Sequence, residues 1–259
     1  MRNFCVFFKK EWIESIRGKK FYVLTAVFVF FAILGAVSAK YMSEILEWAM
    51  SMSTDSDTTI FNIPETTWVD AWGQFYGNIS QIGVLCVVFM YMGSVSSEKR
   101  SGSAALTLTK NLSHTTFIMA KFVVALLITT ISFVIGVIVC YGYTYYFYGH
   151  AGDVFNILAG AFSFVVFMFL MISIIMLSST IAKSTVGSVG FAFLAFMIIS
   201  ILNIVRRIEH LWPGSLLTKS PLFSAGVSLN GFIGAFIVTI LSSLLCLLLS
   251  IKILKKQEI

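Results

Sequence analysis

His114, His150 and His210 are the side chains best suited to acid–base or metal chemistry, and their spacing gives them none to perform. Each falls in a different segment between apolar runs, and none has the H-E-x-x-H neighbours that set two imidazoles and a base on one helix face. No G-x-S-x-G frames a nucleophilic serine, so Ser173, Ser178, Ser179 and Ser200 read as packing and helix–helix hydrogen-bonding residues. Cys5 lies in a basic N-terminal segment, and Cys86, Cys140 and Cys246 lie inside apolar runs, a pattern unlike a disulfide framework or a thiolate metal site. No G-x-x-x-x-G-K-[ST] phosphate loop occurs, so use of ATP would require a second chain to bind it. Catalytic, cofactor-binding and metal-ligating residues are therefore not expected, and the chain reads as no enzyme.

The remaining chemistry is charge, placed between apolar runs. The chain has 259 residues, 58% hydrophobic and 12% charged, about half the charged fraction of a soluble domain. A formal charge of +6 and a pI near 9.1 are compatible with nucleic-acid binding. The cations, however, cluster beside apolar runs as topology determinants do, so no nucleic-acid partner is expected.

These features predict an all-α integral membrane protein, one permease-sized domain over 1–259 with six transmembrane helices near 21–39, 79–95, 122–147, 154–177, 185–205 and 232–254. Each is long enough to cross about 30 Å of hydrocarbon. Apart from their flanks the spans hold no Asp, Glu, Lys, Arg or His, which argues against transport coupled through intramembrane carboxylates. With both termini in the cytoplasm, only Lys40, Arg206, Arg207 and Lys219 of the 18 basic residues fall outside. Of the 12 acids only Glu11, Glu14, Glu98 and Glu258 fall inside. The inverted arrangement violates the positive-inside rule. The first apolar run follows a charged amphipathic segment and reads as a retained span, which fits a multi-pass protein of a bacterial plasma membrane.

Three stretches are not spans. Within 3–18, Phe4, Phe8, Trp12 and Ile16 recur at i+4, with Lys10, Glu14 and Arg17 on another face. This predicts an amphipathic interfacial helix, or alternatively an extension that anchors the first span. The loop at 40–78 mixes Trp48, Trp68 and Trp72 with six acids, and 41–50 could form a short interfacial helix. Residues 206–231 are apolar but broken by Pro213 and Pro221, as an outer re-entrant hairpin would be. There Arg206, Arg207 and His210 are candidates for an outer gate or headgroup contact, with simple snorkelling as the alternative.

The run from Gly93 through Glu98, Lys99, Arg100, Gly102, Leu106, Lys110 and Ser113 to Lys121 resembles the cytoplasmic segment of ABC-2 type permeases, the membrane subunits of ATP-driven exporters. It shows a small-residue helix end, an acid–base pair before a glycine, a Leu- and Thr-rich stretch, a turn, and a lysine opening the third span. Asn111 and His114 stand where the family often has Pro and Arg. Phe7-Phe8-Lys9-Lys10-Glu11-Trp12 with Arg17 similarly resembles the family's connecting helix.

The resemblance implies that 98–116 is a coupling segment. Glu98, Arg100, Gly102, Leu106 and Lys110 would then engage an ATP-binding cassette subunit, which itself holds ATP and Mg. Ser101 could cap a helix starting there, and Gly102 permits a sharp turn. Phe8, Trp12 and Arg17 would serve the interfacial helix. A second permease copy or homologous permease would complete the path, lined by the second and fifth spans with Gln81 and Asn203 as its polar residues. An apolar, aromatic wall suits an amphipathic or hydrophobic cargo such as a peptide, lipid-like molecule or drug. The alternatives are an ATP-independent six-span secondary transporter or a membrane immunity or assembly protein.

Overall fold

The computed structural model describes residues 2–51, 66–104 and 113–257. Among them every regular element is helical, and six helices are long and apolar enough to cross a membrane. They are Lys20–Met42, Trp68–Arg100, His114–Tyr148, Val154–Ile181, Thr185–Leu202 and Leu229–Lys256. An N-terminal helix, Arg2–Arg17, precedes them, and short helices Pro213–Thr218 and Ser220–Ser224 fill the link before the sixth. The ends joined by Ser94–Ser113 form the N-terminal side of the bundle; those joined by Gly149–Asp153 form the far side.

Several boundaries differ from the hydropathy reading. The first helix continues unbroken from Lys20 to Ser51, so 41–50 extends the span rather than forming a separate helix. The second span starts at Trp68, not near 79. Its opening turns, Trp68–Asn78, are rich in Trp, Tyr, Gly and Gln, which dilute hydropathy but still bury Trp72, Phe75 and Tyr76 completely. Asp70, expected in a loop, stands in the first turn and accepts a 2.7 Å hydrogen bond from the Thr67 amide. Trp72 Nε1 donates to the Ala151 carbonyl at 2.9 Å, tying this end to the third–fourth connection.

The third span starts at His114 rather than 122, with Ser113 accepting from the Thr116 amide at 3.1 Å as its cap. The fifth ends at Leu202, short of 205, in turns leading to a 3-10 turn at Arg206–Ile208. The sixth is α-helical over Ile233–Lys256, preceded by a 3-10 turn, Leu229–Phe232.

The fourth span is the centre of the bundle, packing against the third, fifth and sixth spans and both short far-side helices. Phe133 and Phe164 stack with centroids 4.3 Å apart, and Phe28 and Phe75 contact Phe133, so four spans share one aromatic core. Gly35 brings the first span against the second; a Cβ there would lie 2.9 Å from the Phe75 amide nitrogen. Such close approach at small residues supplies packing where lipid provides no hydrophobic drive between helices.

The second span departs from α-helical geometry twice. A π turn at Ile79–Gly83 carries Gln81, and the helix stops at Tyr91 and resumes over Ser96–Arg100. The restart leaves two amide donors without carbonyls of their own. Ser179 of the fourth span accepts from the amides of Val95 and Ser96, both at 3.0 Å. A broken helix is tolerated at membrane depth only when a neighbour satisfies its freed groups.

Candidate functional site

On the N-terminal side, three helices bring opposite charges together. Phe7, Glu11 and Ser15 recur at i+4 and are the buried row of the N-terminal helix. This row faces the third span, while Phe4, Phe8 and Trp12 form a partly buried neighbouring row. Phe8 stacks at 6.2 Å on both Phe4 and Trp12, and Arg17 is exposed at the helix end. Lys121, two turns into the third span, points back at this row.

Its ammonium lies 2.9 Å from both oxygens of Glu11 and 2.6 Å from Glu98 Oε1. It also sits 5.1 Å from the centroid of the Phe117 ring. The Lys121 side chain is 4% exposed, Glu11 10% and Glu98 15%. At this burial, charges persist only when paired.

Lys10 closes the cluster from outside, 3.1 Å from Glu11, 3.0 Å from Glu14 and 3.8 Å from Glu98. Burial acts to lower the Lys10 pKa, but the neighbouring carboxylates, Glu11 foremost, outweigh it and raise the value above that of a free lysine. Burial likewise acts to raise the Glu14 carboxyl, and the hydrogen bond and charge of Lys10 bring it below its ordinary value. Carboxylate oxygens of Glu11, Glu14 and Glu98 come within 4.8 Å of one another. Lys10 and Lys121 bond to these same carboxylates, so the group is built as an ion-pair network rather than a cation cage.

Glu98 and Lys99 are thereby turned inward instead of outward to a partner. Lys99 Nζ donates to the Thr180 carbonyl at 2.8 Å and to Gln257 Oε1, capping the fourth span and fastening the C-terminal end. Arg100 is exposed. Ser101 closes the Ser96–Arg100 helix, its hydroxyl donating to the Glu98 carbonyl at 3.2 Å, and helical residues resume at Ser103. Gly102 follows with φ +73°, a left-handed turn that any side chain would strain. Leu106 and Lys110 lie outside the described residues.

On the far side, the second and fifth spans and the short helices enclose a mostly apolar cavity of about 630 Å³. Gln81 lines it, as do Tyr76, Phe193, Phe196 and Thr218. Asn203 does not line it; its Nδ2 donates to Thr218 Oγ1 at 3.0 Å and so positions a wall residue. The short helices are held by the fourth span, where Ser163 Oγ donates to the Leu216 carbonyl at 2.8 Å. Trp212 Nε1 donates to the Ile199 carbonyl at 2.7 Å. Arg207 and His210 are exposed, and the Arg206 side chain lies outside the described residues. Lys219, one of the far-side cations, is neutralised by Glu209 at 2.6 Å.

Sequence reasoning missed Glu11 and underused Lys121. Glu11 stands among Phe7 and Ser15 on an i+4 row, an acid on a buried face, and that was its one available signal. Lys121 resembled a span-opening flank because the uninterrupted apolar run begins right after it, at Phe122.

The model of the family described as "ABC-2 family transporter protein" matches residues 5–208. That range includes the N-terminal helix, the ion-pair network and the first five spans. The chain is also similar to the uncharacterized transmembrane protein YxlG of Bacillus subtilis (strain 168), at 26% identity over 149 residues. The alignment covers 57% of this chain and 54% of that relative, so it spans about half of each. Six apolar helices, a networked N-terminal side and the long family match lead to one assignment: the chain belongs to the ABC-2 family of membrane transport permeases, whose members are non-catalytic transport subunits.

Proposed function

We propose that this chain is the permease subunit of an ATP-driven exporter, moving an amphipathic or hydrophobic cargo outward while a separate ATP-binding cassette subunit binds ATP and Mg. The observation that carries the reading is the family match across the N-terminal helix and the break in the second span. In this reading the N-terminal helix lies in the cytoplasmic interface, both termini are cytoplasmic, and 206–231 is re-entrant from the outside.

The Ser96–Gly102 turn receives the push of the ATPase. Arg100 offers an exposed charge to that partner, and Leu106 and Lys110 extend the same docking segment. Glu98 passes displacement inward, because it is ion-paired to Lys121 and Lys121 to Glu11. The N-terminal helix, the second span and the third span then shift as one body. Cargo would occupy the apolar cavity beside Gln81, with its wall completed by a second permease copy or a homologous permease. Arg207 and His210, with Arg206, would meet headgroups or cargo at the outer mouth.

The test is mild-detergent affinity purification from the native host, with protein identification and an ATPase assay on the eluate. A stoichiometric subunit with a phosphate loop is expected, retained but functionally uncoupled when Gly102 is changed to Val or Glu98 to Gln. Recovery of the chain alone without ATPase activity, or transport unaffected by both substitutions, would overturn the reading.

A further inference from the structure

A second cavity, of about 290 Å³, lies on the N-terminal side between the N-terminal helix, the start of the first span, the lower second span and the third span. It is separate from the far-side cavity, and its chemistry changes along its length. Glu14, Lys20, Glu98 and Lys121 line the end nearest the N-terminal helix, whereas Phe89 and Met90 line it farther along the second span. From Glu98 back to Phe89 is nine residues, across the break between Tyr91 and Ser96 in the second span. A charged floor and an apolar upper wall over that stretch match the profile of a lipid headgroup region and the start of its chains.

The charges on the floor are unequally satisfied. Glu11 and Lys121 pair with each other. Lys20 forms no ion pair among the described residues, and its ammonium instead lies 5.3 Å from the centroid of the Tyr91 ring. Glu14 bonds Lys10 through Oε2 and keeps more than half of its side chain exposed. Glu98 Oε2 is enclosed and accepts no hydrogen bond among the described residues. The cavity therefore presents an ammonium with no ion pair among the described residues, near the partly exposed Glu14 and a Glu98 oxygen with acceptor capacity to spare.

A ligand that completes both must carry a phosphate-like anion and an N–H-bearing cation a few bonds apart, with an apolar remainder. Phosphocholine has the charges but no N–H to donate, and phosphoglycerol has no cation. We propose that this cavity binds the headgroup of an aminophospholipid of the phosphatidylethanolamine type, from the leaflet at the N-terminal side. Its phosphate pairs with Lys20, its ammonium with Glu14 and Glu98, and its glycerol end lies along Phe89 and Met90. The site does not depend on the exporter reading, since it would form in the permease whether or not an ATPase drives it.

Native mass spectrometry of the full chain in detergent tests the site. The probes are phosphatidylethanolamine, phosphatidylcholine and phosphatidylglycerol with identical acyl chains, each at the same concentration. Retention of phosphatidylethanolamine is expected to exceed that of the other two by about tenfold, the effect of one charge-assisted hydrogen bond. Glu14→Gln should remove most of that preference, whereas Lys20→Gln should lower retention of all three lipids and Lys20→Arg should keep it. Equal retention of the three lipids by the unmodified chain overturns the site, as does a preference that survives Glu14→Gln or a retention that Lys20→Gln leaves unchanged. Soluble glycerophosphoethanolamine is added as a competitor in a further arm. Displacement of the lipid by it at matched concentration overturns the lipid assignment in favour of a soluble phosphoamine.

Discussion

Lys121 and Glu11 are 110 residues apart in sequence, yet both carboxylate oxygens of Glu11 lie 2.9 Å from the Lys121 ammonium. Because Lys121 also holds Glu98 at 2.6 Å, one buried cation joins the N-terminal helix, the second span and the third.

Replacing Lys121 by Met leaves two enclosed carboxylates with Lys10 as their one ion-pair partner among the described residues. The variant is expected to lose about 3–5 kcal/mol of stability, the usual effect of breaking a buried pair from one side. Glu11→Gln together with Lys121→Gln should recover much of that loss. Thermal unfolding in one detergent compares the three proteins, and a Lys121→Met variant as stable as the parent would contradict the network.

Ser179→Ala removes the acceptor that serves the Val95 and Ser96 amides at the break in the second span. Leaving buried donors unsatisfied costs about 1–3 kcal/mol. Amide exchange should therefore accelerate at residues 92–104 while the core of the third span stays protected. Unchanged exchange at 92–104 would show that the break is held by other contacts.

Gly160 lets the far-side helices approach the fourth span. A Cβ there would fall 2.0 Å from Ser224 Oγ and 2.6 Å from the Ser220 carbonyl oxygen. Gly160→Ala should lower the unfolding temperature, by an overpacking cost of about 1–3 kcal/mol. Gly190→Ala is the control, since a Cβ at Gly190 meets nothing within 4 Å. Equal behaviour of the two variants would refute the close approach.

Docking of the N-terminal helix should be insensitive to pH around neutrality and weaken at both extremes. The Glu14 carboxyl is held below its ordinary value of 4.5, so its contribution is complete above that pH and lost as pH falls through the lower folded value. The Lys10 ammonium is held above 10.5, so its contribution is complete below that pH and lost as pH rises through the higher folded value. An environment-sensitive label on exposed Cys5 should report a flat signal between about pH 5 and 10. A transition near pH 7 would mean another group controls docking.

Much of the architecture was legible because membrane insertion is written locally. Runs such as Val154–Ile181 hold no charge over more than the bilayer thickness, and one-dimensional hydropathy finds them. The beginning of the second span was not legible. Trp68–Asn78 earns its place through aromatic burial against the first and fourth spans, which a hydropathy average does not register. Gly102 could be read as a turn because glycine's freedom is intrinsic, and it does adopt φ +73°. The inward direction of Glu98 and Lys99 could not be read. An exposed docking charge and a buried ion pair have the same letters, and only the helix restart at Ser96, capped by Ser179, fixes which way they face.

The sequence by itself determined that this protein lives in a bilayer, how many helices cross it and, through the 93–121 pattern, which family it resembles. These follow from apolar length and short-range spacing, which each segment carries alone. The tertiary structure decided that Lys121 meets Glu11 and Glu98, that Asn203 holds a residue of the cavity wall rather than lining it, and that Lys20 faces a cavity with no ion pair among the described residues. Those outcomes depend on helices far apart in the chain packing at particular angles, and charge pairing acts over distances that only packing sets.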